Sequence, residues 1–193
     1  MQHLKLFPLA LLLLAGGCAT IENPIYTGHS KHGEAFNKGP RQAAYLMGTT
    51  SNVSFPITTD STEAQAFFNQ GIGQLHGFWY LEAERSFRQV LKLHPEHPMA
   101  YWGIAMANAK NRTRSQSIIK KAVTGRSKVG NREQMWIDSM NACQNETDSK
   151  KRKIAWLKSY QNISEKYPED LEAQAFVVLA MYNNVKAKKN YDE

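Results

Sequence analysis

The residue most capable of chemistry near the start of this sequence is Cys18, which follows a short apolar run and three small residues. Lys5 precedes an apolar run at 6–14, and the small residues Ala15, Gly16 and Gly17 lead directly to Cys18. A basic start, a short apolar run and small residues before the cleavage point are typical of a secretory signal peptide. The run is far shorter than the about 20 apolar residues that span a membrane. The sequence therefore predicts a signal peptide at 1–17.

The segment 14–18, Leu-Ala-Gly-Gly-Cys, resembles a bacterial lipobox. The resemblance implies that the thiol of Cys18 carries a diacylglyceryl group and that its amine carries a further acyl chain. Several chains anchor a protein much more firmly than one. Because Ala19 is not an aspartate, the resemblance favours the outer membrane, facing the periplasm, over the inner membrane. The alternative is an ordinary cleaved signal with an incidental cysteine, which would leave the protein free in the periplasm or secreted.

The other reactive side chains predict no catalytic or metal centre. His29 and His32 with Glu34 could ligate a metal, but they lack a fourth ligand at the usual spacing. The sequence contains no Cys-x-x-Cys-His, no Gly-x-Ser-x-Gly and no Walker-type phosphate loop. Cys143, close to Met140 in an apolar stretch, is expected to be a buried small residue. We therefore expect neither enzymatic activity nor a cofactor.

Two regions follow the signal peptide. Residues 18–60 are rich in Gly, Pro, Ser, Thr and Asn without a sustained period, which predicts a lipid-anchored tether and an extended leader. From 61 to 193, apolar residues recur at helical spacing, with breaks at Gly77-Phe78-Trp79 and at His94-Pro95. The helices predicted from this spacing cover 64–75, 81–93, 99–110, 115–124, 133–143, 150–166 and 171–186. The 193 residues, 42% of them apolar, suffice for one folded domain.

The helical region contains an internal repeat. Tyr167-Pro168-Glu169 repeats His94-Pro95-Glu96 at an offset of 73 residues, 168 − 95. A helix, a turn, a second helix and a proline within about 34 residues is the period of a helical-hairpin repeat, so this offset spans two of them. The sequence predicts an all-α array of hairpins.

The first hairpin is similar to the tetratricopeptide repeats of exported bacterial lipoproteins. The residues that match the family pattern are Ala64, Phe67, Gly71, Ala83, Phe87 and Pro95. The resemblance implies a solenoid in which small side chains let paired helices approach to about 8–10 Å. Gln70 and Gln74 depart from the pattern, since they replace its leucine and tyrosine. The last helix is apolar where an array normally ends in a polar cap, which predicts a longer parent chain; alternatively, this helix caps the third hairpin.

The resemblance also implies a concave binding face, lined by the first helix of each hairpin. The residues expected there are Asn69, Gln70, Gly73, Tyr101, Asn108 and Asn111. Their amides could bond to a peptide backbone, which favours a membrane-anchored scaffold or adaptor for a peptide or protein partner at the cell envelope. The alternative is a periplasmic small-ligand or metal carrier that uses the histidine-containing leader and the aromatic residues at 78–80. Tyr101 and Trp102 belong to the same aromatic group, and the alternative for Trp79 and Trp102 is that they pack between hairpins.

Charge is unevenly distributed along the helical region. Residues 110–132 carry basic side chains and no acidic one, within a chain of net charge +7. Such a run attracts anions. Because the protein is predicted to be exported, we expect anionic lipids, cell-wall polymers or acidic proteins there and no nucleic acid; the alternative is a solvated face.

The lipid anchor is testable through Cys18. Metabolic labelling with a fatty-acid analogue should mark the wild-type protein and not Cys18→Ser, because the thiol is the acceptor. Cys143→Ser is the matched control and should keep the label. Equal labelling of Cys18→Ser and the wild type would show that Cys18 is not the lipidated residue.

Overall fold

The computed structural model describes residues 44–48 and 52–189, and these residues form seven α-helices without a β-strand. The helices are α1 (Thr62–His76), α2 (Tyr80–Leu93), α3 (Pro98–Ala107), α4 (Arg112–Thr124), α5 (Asn131–Asn145), α6 (Ser149–Lys166) and α7 (Leu171–Lys189). A short 3-10 turn, Arg126–Lys128, joins α4 to α5. The predicted all-α class is confirmed for this part of the chain. The signal peptide, Cys18 and the residues His29, His32 and Glu34 lie outside it.

Local chemistry sets several helix starts. The side chains of Ser61, Asn111 and Asp148 each accept a hydrogen bond from the backbone N–H three residues later, at the starts of α1, α4 and α6. Such caps replace one of the hydrogen bonds that the first turn of a helix lacks. α3 begins with Pro98 at its first position, preceded by His97 as cap. None of the helices among the described residues is both long and apolar enough to cross a membrane.

Consecutive helices pack against each other, and α1 and α5 also contact α3. The core holds the buried aromatic residues Phe55, Phe68, Phe87, Trp102, Trp136 and Phe176. The ring centroid of Phe55, from the segment before α1, lies 5.3 Å from Phe68 and 5.2 Å from Trp136. Residues 52–57 thus pack with the helices, although composition predicts a leader up to residue 60. Trp102 is buried in this cluster, whereas Trp79 is 58% exposed and does not pack between helices.

Two glycines make room for the ring of Phe87 between α1, α2 and α3. A methyl group added at Gly71 would lie 2.6 Å from Cε1 of Phe87, and one at Gly103 would lie 2.5 Å from its Cδ1. Phe87 is completely buried, so its ring has no open space to move into. Glycine at these two positions allows the three helices to close on one aromatic side chain.

Replacing either glycine tests this packing. Gly71→Ala and Gly103→Ala should each lower the free energy of unfolding by about 1–3 kcal/mol through overpacking. In an unconstrained helix the same change would instead stabilise by about 1 kcal/mol. Gly77→Ala is the matched control, since its methyl would meet nothing closer than 3.5 Å. Urea unfolding measures all three, and a Gly71→Ala protein as stable as Gly77→Ala would contradict the packing.

Candidate functional site

Side-chain amides on α1 hold the backbone of the segment at 52–57. The N–H of Phe55 donates to Oδ1 of Asn69 at 3.0 Å, and the N–H of Ile57 donates to Oε1 of Gln65 at 2.9 Å. Nε2 of Gln65 donates in turn to the carbonyl oxygen of Phe55 at 2.8 Å and to Asn69 at 2.9 Å. One amide can both donate and accept, so it matches a peptide group regardless of the residue that carries it. These side chains, together with Gln70, form what we call the α1 face, which binds the main chain of the segment in addition to the packing of the Phe55 ring on Phe68.

Gln70 continues the same pattern toward the residues at 44–48. Its Oε1 accepts from the N–H of Met47 at 2.7 Å, and its Nε2 donates to the carbonyl oxygen of Tyr45 at 3.0 Å. Gln70 itself is only 6% exposed, whereas Tyr45 and Leu46 are 69% and 48% exposed. This outer segment is thus held at its backbone and contributes little apolar burial.

The amide of Gln70 is fixed by further buried polar groups. Its Nε2 also donates to Oγ of Ser86 at 3.0 Å, and that hydroxyl donates to Oε1 of Gln74 at 2.7 Å. Nε2 of Gln74 donates to Sδ of Met47 at 3.4 Å. Gln70 and Gln74 are the two departures from the tetratricopeptide pattern, and both face the segment at 44–48. Their polarity is explained by this contact.

Thr58 fastens the end of the segment to α3 and α5. Its N–H donates to Oε1 of Glu133 at 2.9 Å, and its hydroxyl bonds to the other oxygen of the same carboxylate. Its carbonyl oxygen accepts from Nε2 of His97 at 3.0 Å. Glu133 and His97 are both buried, so Thr58 provides partners that these polar side chains need inside the protein.

Arg132 covers the outer side of Phe55. Its guanidinium lies 4.1 Å from the centre of the Phe55 ring, which is within the range of a cation–π interaction. The same group donates to the carbonyl oxygen of Pro56 at 3.2 Å and to Oδ2 of Asp170 at 2.6 Å. Arg132 therefore ties the segment to the turn before α7.

Asn108 serves the interior of the protein and does not line an open face. It is completely buried, and its Nδ2 donates to Oε2 of Glu84 at 2.9 Å and to the carbonyl oxygen of Ile104 at 2.8 Å. Arg88 and Arg114 pair with the same buried carboxylate. This charged cluster joins α2, α3 and α4, and Asn108 supplies one of the hydrogen bonds that the buried carboxylate of Glu84 needs.

Three other predicted site residues also have structural roles. Asn111 caps α4, accepting a hydrogen bond from the N–H of Arg114 at 3.3 Å. Tyr101 is buried in α3, with Nζ of Lys121 5.8 Å from the centre of its ring. The carbonyl oxygen of Gly73 accepts from the N–H of Gly77 and helps to end α1. Of the six expected residues, Asn69 and Gln70 are the two that bind the backbone of the segment preceding α1.

A pocket of about 570 Å³ opens elsewhere, between the ends of α1 and α3, residues 152–160 of α6 and residues 176–184 of α7. Apolar side chains lining it include Leu75, Met106, Trp156, Tyr160, Phe176 and Leu179. The charged residues that line it are all basic: Lys110, Arg152 and Lys153. Phe78, in the turn between α1 and α2, and Tyr80, the first residue of α2, also line the pocket. This combination suits a ligand with an apolar body and a negative charge.

Sequence reasoning noted the basic residues at 150–153 but did not predict that α6 lines a pocket. Arg152, Trp156 and Tyr160 follow one another at intervals of four residues, which places them on one face of the helix. That spacing was the available signal, but it does not show which other helices meet the face. Packing of α7 brings Phe176 and Leu179 to it.

Cys143 is buried, as expected, and burial raises the pKa of its thiol to about 11. A thiol with so high a pKa forms little of the reactive thiolate near neutral pH. Among the residues that the structure describes, there is no group of three or more His, Cys, Asp or Glu side chains that could hold a metal ion.

Comparisons with known proteins provide no assignment of function. Neither a protein-family model, nor a curated protein, nor a solved structure matches this chain. The functional argument consequently depends on the geometry of the α1 face and of the pocket.

His97 makes the attachment of Thr58 sensitive to pH. Its Nδ1 accepts from the N–H of Met99 at 3.1 Å while its Nε2 donates to Thr58, an arrangement that requires the neutral ring. Burial is the main cause that lowers the pKa of His97 below its ordinary 6.5. The unfolded chain therefore takes up the proton first, so stability falls as the pH drops through about 6.5 toward the lowered value.

Urea midpoints at pH 7.5 and 5.5 should show this loss in the wild type and a smaller one in His97→Asn. Asparagine can cap a helix but does not titrate. An equal loss in both proteins would assign the pH dependence to other groups.

Proposed function

We propose that this protein is an adaptor of the tetratricopeptide type, held at the cell envelope by lipid on Cys18, that binds a polypeptide partner through the α1 face. The observation that carries the proposal is the paired contact of Gln70 with the backbone of Tyr45 and Met47. A surface that holds one stretch of main chain through side-chain amides has the chemistry to hold another.

Helix packing supports the hairpin-repeat part of the proposal. α1 packs on α2, α3 on α4, and α5 on α6, as the three predicted hairpins require, and α6 also packs on α7. α2 and α6 end just before Pro95 and Pro168, the prolines that mark the internal repeat. The close approach at Gly71 falls where the family pattern has a small residue.

The two parts of the bound segment differ in how readily a partner could replace them. Phe55 is completely buried, so its removal would cost about 3–5 kcal/mol, as for other core phenylalanines. The stretch at 44–48 has two exposed large side chains and is held through Gln70 and Gln74. A partner segment would therefore replace residues 44–48 and leave Phe55 in place.

Main-chain recognition defines the kind of partner. Hydrogen bonds to the backbone give affinity with little sequence preference, as in other cases where an extended peptide is added to a protein surface. The partner would supply an extended segment with a free N–H and C=O two residues apart. Side chains beyond that pair would decide specificity.

Photo-crosslinking in cells tests the proposal. A photoreactive residue at position 66, one turn before Gln70, should capture a partner polypeptide, and the same residue at the exposed position 123 on α4 should not. Replacing residues 45–47 with glycine and serine should increase capture, because a more flexible backbone loses more entropy on binding Gln70 and the contact of Gln74 with Sδ of Met47 is removed, so the cis segment competes less well.

In the variant whose residues 45–47 are replaced, so that the cis segment competes little, Gln70→Ala should reduce capture by roughly 5- to 150-fold, since two hydrogen bonds of about 0.5–1.5 kcal/mol each are lost. Gln89→Ala on α2 is the control, and melting temperatures establish that all variants are folded. Identical crosslinks at positions 66 and 123, or capture unchanged by Gln70→Ala, would contradict this function.

A further inference from the structure

The geometry points to a second binding site, independent of the proposed adaptor function, in the pocket between α3, α6 and α7. We propose that this pocket binds a single-chain anionic amphiphile: an acyl chain on the apolar wall and a carboxylate or phosphate at the basic residues. The argument has three parts, namely the shape, the charge and the lack, on the α6 side of the pocket, of the amide side chains that bind a peptide backbone on α1.

Shape comes first. A volume of about 570 Å³ lies within the about 300–1,000 Å³ of pockets that hold small ligands. Trp156 of α6 and Leu179 and Phe176 of α7 line it, and Phe176 is completely buried. An acyl chain would gain contact with these side chains and bring no polar group that needs a partner.

Charge comes second. Lys110, Arg152 and Lys153 line the pocket, and no aspartate or glutamate does so among the described residues. Nζ of Lys110 lies 5.6 Å from the centre of the Tyr80 ring, which keeps this cation at the aromatic wall. Nη1 of Arg152 donates to the carbonyl oxygen of Glu146 at 2.9 Å, and this bond orients a guanidinium that has further donors. Arginine matches carboxylate and phosphate oxygens through paired hydrogen bonds.

The third part distinguishes an amphiphile from a peptide. On α1, the bound backbone is matched by the amides of Gln65, Asn69 and Gln70. The amide side chains that line the pocket are Gln144, which already donates to the carbonyl oxygen of Ala109, and Asn183 and Asn184 of α7, whereas α6 contributes only aromatic and basic side chains. An extended backbone buried against the α6 side of the pocket would leave peptide groups unpaired, at a cost of roughly 1–3 kcal/mol each.

The backbone of Phe78 supports a site at this position. Its φ of 61° is uncommon for a residue other than glycine, and its ring is 56% exposed at the pocket wall. The turn between α1 and α2 therefore presents an aromatic ring to the pocket and leaves it half in solvent. A chain lying in the pocket would cover that ring.

The test uses the full chain carrying Cys18→Ser, so that neither its own lipid nor detergent competes. A fluorescent fatty acid, dansylaminoundecanoic acid, is titrated first and then displaced by palmitate, lysophosphatidate or hexadecanol. We expect one site per chain, displacement by palmitate or lysophosphatidate, and at least tenfold weaker displacement by the uncharged alcohol.

Two double variants on α6 remove the same charge. Arg152→Ala with Lys153→Ala should weaken binding at least fivefold, whereas Lys150→Ala with Lys151→Ala, outside the pocket lining, should leave it within twofold. Phe78→Ser, an exposed change that should spare the fold, should weaken binding through lost apolar contact.

Three results would overturn the proposal. The first is the absence of saturable binding below the critical micelle concentration. The second is an equal effect of the two double variants, which would indicate general charge attraction. The third is displacement by an acidic amphipathic peptide but by no acyl compound, which would assign the pocket to a polypeptide. Photo-crosslinking at position 66 is unaffected by any of these results, so the two proposals fail separately.

Discussion

The burial of Phe55 among aromatic rings is the contact on which the arrangement of this protein depends. It comes from outside the helices, yet it touches Phe68 of α1, Trp102 of α3 and Trp136 of α5. Completely burying a phenylalanine contributes about 1.5–3 kcal/mol, and each well-placed ring pair adds about 0.5–1.5 kcal/mol. One side chain thus fixes the spacing of three helices and brings its neighbouring backbone against α1.

That position of the backbone explains the polar residues around it. Once Phe55 is buried, the peptide groups beside it lose water and need partners within the protein. Gln65 and Asn69 supply them on α1, and Glu133 and His97 supply them for Thr58. The burial of Phe55 thus explains why α1 has polar side chains at Gln65 and Asn69. An apolar residue at either position would leave a backbone group of the segment unpaired.

Local features of the sequence were enough to predict the helices. Predicted segments such as 150–166 and 171–186 agree closely with α6 (Ser149–Lys166) and α7 (Leu171–Lys189), because apolar spacing and prolines act within a few residues. Asn69 and Gln70 were expected to bind a partner, since a polar residue on a mostly apolar helix stands out, and in the structure they bind the backbone of the chain's own preceding segment. Asn108 gave the same signal for another reason: it satisfies the buried carboxylate of Glu84. Sequence shows that such an amide needs a partner and does not identify the partner.

The pocket could not be predicted because it is made by tertiary packing, and the same packing relates it to the α1 face. Phe176 of α7 lies in the pocket wall and also contacts Trp136, at 5.1 Å between ring centres, on which Phe55 packs at 5.2 Å. Interiors packed this closely have little free volume, so a ring that moves displaces its neighbours. The polar α1 face and the apolar pocket therefore both border the same aromatic cluster. Their chemistry differs because one surface has to satisfy a backbone and the other does not.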